Sequence, residues 1–156
     1  MLLTAIITAH NESDDLRETI CDLRERTRTD HQVIVIDDGS SDDCGSSIIK
    51  SPNVTLVRHS ERIGIGASRD EAAKMAIHGV LAILDGHQRF TEGCLDQCME
   101  SATEHQAIVC PDVCGYGIDD RVMQGAFFVL RTEEPPFSAE WRMLEPHRKL
   151  FPISSL

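Results

Sequence analysis

Positive charge is in short supply. Fifteen Lys and Arg face 26 Asp and Glu, so the formal net charge is −11 at pH 7. Contacts to a phosphate backbone need clustered Lys and Arg, which argues against nucleic-acid binding. An anionic membrane surface is disfavoured for the same reason. A chain this acidic needs a metal ion or a local basic pocket to hold an anionic ligand. Aromatic residues make up only 4% of the chain, so the core must rest on Ile, Leu, Val, Ala and Met. No apolar run approaches the ~20 residues of a membrane-spanning helix. The apolar start, Met1 to Thr8, lacks a basic n-region and runs straight into His10-Asn11-Glu12. It reads as a strand, not a signal peptide, and the expected location is cytoplasmic. There the six Cys would be mostly reduced thiols. The zinc-type C-x-x-C spacing is absent. Cys94/Cys98 and Cys110/Cys114 are four apart and read as small buried hydrophobes before they read as a Cys₄ site. A Gly-x-Ser-x-Gly nucleophile elbow is also missing.

What is present is a regular alternation. The 156 residues suit one domain that buries roughly 70% of its unfolded surface. Continuous apolar runs at Leu2–Thr8, Val33–Ile36, Val54–Val57, Val80–Leu84 and Ala107–Cys110 read as buried strands. Between them, Leu16, Ile20 and Leu23 recur at helical spacing up to about Arg26, after Asn11, Ser13 and Asp14 as helix-start residues. A short helix is expected at Ser46–Ile49. Ile65, Ser68, Ala72, Ala73 and Ala76 form a face of mostly small residues on another helix, and Leu95, Cys98, Met99 and Ala102 mark a further one. The fold class is therefore α/β with a mostly parallel sheet flanked by helices. Beyond Pro111 the pattern weakens: Gln124–Leu130 reads as one more strand, and Pro135-Pro136, Pro146 and Pro152 make the tail loop-like.

Three strand ends carry polar clusters: Thr8-Ala9-His10-Asn11-Glu12, Asp37-Asp38-Gly39-Ser40 and Asp85-Gly86-His87. In a parallel sheet these fall on one edge, where ligands bind. Asp85 and His87, with Gly86 at the turn, can face one ion. A carboxylate with an imidazole suits Mn²⁺ better than Ca²⁺, with Mg²⁺ as the alternative. The same triplet also fits a plain polar turn with a solvated His87. Asp37 or Asp38 can accept a hydrogen bond from a base N–H, and Gly39 can let the backbone pass close to a ligand. The cluster equally fits a helix cap and turn. Gly64-Ile65-Gly66 is not a dinucleotide fingerprint, because Arg69 stands at the third glycine and the pair follows the third strand. Arg69 reads as a phosphate or base contact or as a surface charge. His59 and His105 read as solvated loop residues.

Taken in order, Ile6 through Glu12, Val33 through Asp42, Gly64 through Asp70 and Ala82 through His87 resemble a family 2 glycosyltransferase of the GT-A fold. The matching span is about residues 1–112. Where that family usually has a second Asp in its Asp-x-Asp metal motif, this chain has His87, as the polypeptide N-acetylgalactosaminyltransferases do. His10 stands where the family has an aromatic residue. The resemblance implies a GT-A, Rossmann-like domain over 1–156, with a nucleotide-sugar-binding part at 1–112 and a short remnant of the acceptor part at 113–156. It implies that Thr8 and Asp38 contact a uracil ring and that Glu12 lies at the nucleotide pocket. Arg69 would fix base or phosphates, and Asp85 and His87 would hold Mn²⁺ or Mg²⁺ on the diphosphate. The implied donor is a UDP-sugar; the acceptor, whether glycan, lipid or protein, is open. No catalytic base falls in a recognisable motif among Glu133, Glu134, Glu140 and Glu145. Room remains for a homo-oligomer or a partner chain, and for a non-catalytic nucleotide-sugar-binding module as the alternative.

Overall fold

The computed structural model describes residues 3–43, 48, 53–77 and 79–111, together with the backbone of two later strands. The first strand, β1 (Leu3–Ala9), is buried along its whole length. It pairs in parallel with β2 (His31–Asp37) on one side and β4 (Val80–Asp85) on the other, and β3 (Val54–Arg58) extends the sheet beyond β2. The order is β3-β2-β1-β4. The two middle strands carry the continuous runs Ile6-Ile7 and Val33–Ile36, fully buried as the interior of a two-faced sheet requires.

Side chains alternate across the sheet, and each face gathers its own core. On one face Leu3, Ala5, Ile7, Val33, Val35 and Leu84 meet Leu16, Ile20 and Leu23 of α1 (Ser13–Arg26) and Leu95 and Met99 of α3 (Cys94–His105). On the other, Ile6, Ile34 and Ile36 meet Ala72 of α2 (Ile65–Met75). The small residues Ser68 and Ala72 are both fully buried, which lets α2 lie close to the strands. Each large aliphatic side chain buried here contributes about 1.5–3 kcal/mol.

α1 begins differently from the sequence expectation. Its N-cap residue, Glu12, makes no side-chain cap bond. Instead the Asp42 carboxylate, from the loop after β2, accepts from the Ser13 N–H at 3.1 Å and the Ser13 hydroxyl at 2.6 Å. An anion at a helix N-terminus satisfies an orphan donor and complements the dipole. The helix stops where Thr27 turns extended, its N–H bonding the Leu23 carbonyl.

The chain divides into two compact units, Met1–Glu100 and Ser101–Leu156. In the second, the strand expected at Ala107–Cys110 shrinks to a single bridge position at Ala107. That run has one β-branched pair and then meets Pro111, which cannot donate to a ladder. β5 (Ala126–Arg131) agrees with the expected strand and pairs antiparallel with β6 (Ser138–Met143). β6 corrects the loop-like reading of the tail. The prolines that suggested loop sit at positions 135, 136, 146 and 152, all outside its six residues. Of the expected helix at Ser46–Ile49 only Ile48, buried in the core, is among the described residues, and Cys114 lies outside them.

Candidate functional site

Register brings the three polar clusters to one edge. Thr8 is the partner of both Ile36 and Asp85, and Ala9 is the partner of Asp37. Thr8 and Asp85 therefore share the sheet face that carries α2. From that helix Arg69 reaches down, its Nη2 donating to Asp85 Oδ1 at 2.9 Å. Two polar atoms here are buried with no hydrogen-bond partner, Thr8 Oγ1 and Arg69 Nε. A buried hydroxyl or guanidinium N–H left unpaired costs about 1–3 kcal/mol; Ser68 Oγ on the same helix and Asp37 Oδ2 at the end of β2 are likewise without a hydrogen-bond partner.

Glu12 and His87 form the neighbouring pair, with His87 Nδ1 3.3 Å from Glu12 Oε2. The Glu12 carboxylate lies so close over Gly86 that a β-carbon there would collide with it. Asp85 and His87 thus face different partners, Arg69 and Glu12. Among the described residues no group of three His, Cys, Asp or Glu is arranged to enclose an ion.

The turn after β4 is set by a residue the sequence reading passed over. Thr19, fully buried in α1, has its Oγ1 2.8 Å from the Gly86 carbonyl and accepts from the Gln88 N–H at 3.0 Å. A polar residue on the apolar stripe of Leu16, Ile20 and Leu23 was the available signal. Thr19→Val keeps the shape but removes the acceptor of the Gln88 N–H and the one hydroxyl proton shared between the Asp15 and Gly86 carbonyls. It is expected to cost about 1–3 kcal/mol, read as a lowered urea midpoint with unchanged m-value; a midpoint equal to wild type would remove Thr19 from this role.

The Asp37–Ser40 cluster is mostly internal architecture. Asp37 is fully buried; its Oδ1 accepts from the Ser40 N–H and its Oδ2 lies 3.1 Å from Arg58 Nε. Gly39 has φ +69°, and what passes close to it is the chain's own backbone at Glu61–Arg62, where the sequence reading expected a ligand. Asp38 is 4% exposed. Its carboxylate accepts from the N–H groups of Ile63 and Gly64, each at 2.8 Å, and faces His59 Nδ1 at 3.1 Å. Burial pushes that carboxyl up, but the hydrogen bonds from Ile63, His59 and Gly64 outweigh it and hold the pKa at about 2. His10 Nδ1–H donates to the Asp38 carbonyl at 2.9 Å, and Asn11 Oδ1 accepts from the Ser41 N–H. The loops after β1 and β2 are thereby stitched together.

His59 is not solvated. Its side chain is 13% exposed, with Nε2 2.9 Å from Glu71 Oε2 on α2 as well as Nδ1 on Asp38. The signal for it was positional: the end of a third parallel strand falls on the same edge as the others. His105 is exposed, as expected, but it closes α3 where a loop residue was expected, with its Nδ1 on the Ser101 carbonyl one turn back. Cys94 and Cys98 are only partly buried, short of the buried small hydrophobes that their spacing suggested.

Several known proteins resemble this chain in sequence or in fold. The human polypeptide N-acetylgalactosaminyltransferase 14 is 30% identical over 151 residues, covering 92% of this chain and 27% of that protein. A Caenorhabditis elegans relative, polypeptide N-acetylgalactosaminyltransferase 4, is 28% identical over 82% of this chain and 23% of its own length. The chain thus spans about a quarter of the length of these curated relatives. Crystal structures of S. aureus TarS, one of them in complex with UDP-GlcNAc, superpose with a TM-score of 0.63 over 81% of this chain, at 20% identity and 40% or 39% of the TarS chain. That likeness carries the GT-A-like fold. The glycosyl transferase family 2 model matches residues 4–152, nearly the whole sequence, and the chain belongs to glycosyl transferase family 2.

Proposed function

We propose that this edge binds the diphosphate of a UDP-sugar, with a divalent ion, for transfer of the sugar to an acceptor. The observation that carries the reading is the pair of orphaned buried polar atoms, Thr8 Oγ1 and Arg69 Nε, beside the Arg69–Asp85 ion pair. Arg69 offers the local positive charge that an acidic chain needs for an anionic ligand, and its planar fork suits phosphate oxygens. The UDP-GlcNAc held by the TarS structure supports the donor class. So do the N-acetylgalactosaminyltransferase relatives.

Asp85 and His87 fit an ion that is held partly by its substrate. One carboxylate and one imidazole, half-exposed or more, leave most coordination positions to phosphate oxygens and water, the usual arrangement for Mg²⁺ and Mn²⁺ at nucleotide sites. When bound, Mn²⁺ or Mg²⁺ supplies charge neutralisation on the departing diphosphate. Arg69 orients the phosphates, Thr8 donates its hydroxyl to the nucleotide, and Glu12 holds the His87 ring.

The test is a calorimetric titration of UDP, GDP and ADP, each with and without Mn²⁺. UDP with Mn²⁺ is expected to bind well above either alone, because the protein's own donor set is incomplete. No heat and no thermal shift for UDP with Mn²⁺ would overturn the reading. Binding without turnover of any UDP-sugar, hydrolysis included, would favour the nucleotide-sugar-binding module.

A further inference from the structure

His59 occupies an unusual position for a residue at a strand end. Its backbone N–H donates to the Asp37 carbonyl at 2.9 Å, so the ring is fixed relative to β2. Both ring nitrogens then face carboxylates from different elements: Asp38 at the end of β2 and Glu71 in the second turn of α2. A neutral imidazole has one N–H and one lone pair, so it can satisfy only one of two ionised carboxylates. The imidazolium satisfies both.

We propose that His59 is a positioning residue whose protonated ring ties Asp38 to Glu71 and thereby sets the loop 60–64 and the first turns of α2, which carry Arg69. This rests on the nucleotide reading above for its functional consequence. The linkage is short in sequence. Asp38 also accepts from the Ile63 and Gly64 N–H groups immediately before α2. Arg69 follows Gly64 by five residues, and its guanidinium reaches Asp85. When the ring loses its proton, one of the two carboxylates is left facing a lone pair. The register of α2 against the strand ends is then less firmly held.

The charged groups around the ring can be named from each element. Asp38 comes from β2 and Glu71 from α2. Arg62, in the loop between β3 and α2, has its Nε 4.0 Å from Asp38 Oδ2. Lys74 on α2 pairs with Asp70 and lies within the field of Glu71. Arg58, next in sequence, is turned to Asp37 instead. The pKa of His59 lies above the ordinary value of 6.5: the hydrogen bond to Asp38 raises it most, burial pulls it back, and Glu71 raises it again. A folded-state pKa raised above the unfolded one gives stability that is complete below 6.5 and is lost as pH rises through the folded value. At the acid end the contribution of Asp38 falls away between its unfolded value of 3.8 and about 2.

The experiment measures thermal midpoints without nucleotide, and UDP·Mn²⁺ affinity, from about pH 5 to about pH 8. Three proteins are compared: the wild type, His59→Gln and Glu71→Gln. The wild-type midpoint is expected to fall as pH rises past 6.5. His59→Gln, which cannot titrate, should lose that component; the difference between the two proteins cancels the other six histidines. The ratio of wild-type to His59→Gln UDP affinity should fall roughly fivefold or more across the same range, a ratio that cancels the pH dependence of metal and nucleotide binding common to both proteins. Glu71→Gln, at a side chain 42% exposed, tolerates the swap and should show a reduced slope even if His59→Gln folds poorly. Equal slopes in all three proteins would overturn the proposal. If UDP fails to bind the wild type at any pH, the nucleotide reading falls, and the positioning of Arg69 for a ligand falls with it. The midpoint slopes still decide whether the proton-dependent tie exists.

Discussion

Asp85→Ala is expected to abolish Mn²⁺-dependent UDP binding, a loss of about a hundredfold or more, while leaving the fold nearly as stable as before. The two halves of that expectation come from different observations. Asp85 closes β4, and its register partner is Thr8, so the carboxylate stands where the strand ends converge. Even outer-shell partners of a metal typically cost 10–100-fold when removed, and a carboxylate proposed to touch the ion should reach the top of that range. In the protein without ligand, Asp85 does one visible thing, which is to pair with Arg69 across a partly exposed gap, at 49% and 34% side-chain exposure. Such a pair is worth about 0–1 kcal/mol after screening, so the thermal midpoint should hardly move. The control is Asp14→Ala, where a carboxylate 87% exposed pairs with Arg17 within one helix turn; its UDP isotherm should match the wild type. If Asp85→Ala binds UDP·Mn²⁺ as the wild type does, the ion is not held at this turn. If it unfolds instead, the Arg69 pair has been undervalued.

The sheet was legible because its strands are short continuous runs of Ile, Val, Leu and Ala between helix-period segments. Leu3–Ala9, Val54–Arg58 and Val80–Asp85 differ from the expected runs by a residue at one or both ends. The convergence of Thr8, Asp38 and Asp85 on one edge followed from parallel pairing alone. The partners of each polar residue were not legible. Nothing local to Ser13 says that Asp42 will cap it from 29 residues away, and nothing local to Asp38 says that its carboxylate will be used by Ile63, Gly64 and His59. Those bonds depend on where loops cross, and loop crossings are set by tertiary packing. Polar atoms in a site are also ambiguous by type. Asp37 and Asp38 are adjacent carboxylates of one motif, yet Asp37 is sealed by Arg58 and Ser40, while Asp38 holds the neck of α2.

Gly39→Ala should be the most destabilising of the glycine substitutions at this edge, and a series of three separates the reasons. Gly39 and Gly64 both have positive φ, +69° and +94°, where an L side chain adds about 1–3 kcal/mol of backbone strain. At Gly64 a β-carbon would meet nothing within 4 Å, so strain is the whole cost. At Gly39 it would stand 2.7 Å from the Arg62 nitrogen and 2.8 Å from the Glu61 carbonyl carbon. Those are backbone atoms, and they cannot swing aside as a side chain can. To admit the methyl, the 61–62 segment must move, and it leads directly into the Ile63 and Gly64 N–H groups bonded to Asp38. Losing those charge-assisted bonds in a site 4% exposed adds to the strain. The expected total is about 3–5 kcal/mol. Gly66, inside α2 with open space around it and no positive φ, should gain about 0.5–1 kcal/mol on change to Ala, because alanine loses less entropy in a helix. Urea midpoints should therefore rank Gly66→Ala above wild type, then Gly64→Ala, then Gly39→Ala. If Gly39→Ala proves no worse than Gly64→Ala, the crossing of the 61–62 segment over Gly39 is looser than drawn. The Asp38 hydrogen bonds, and the His59 tie that depends on them, would then be looser as well.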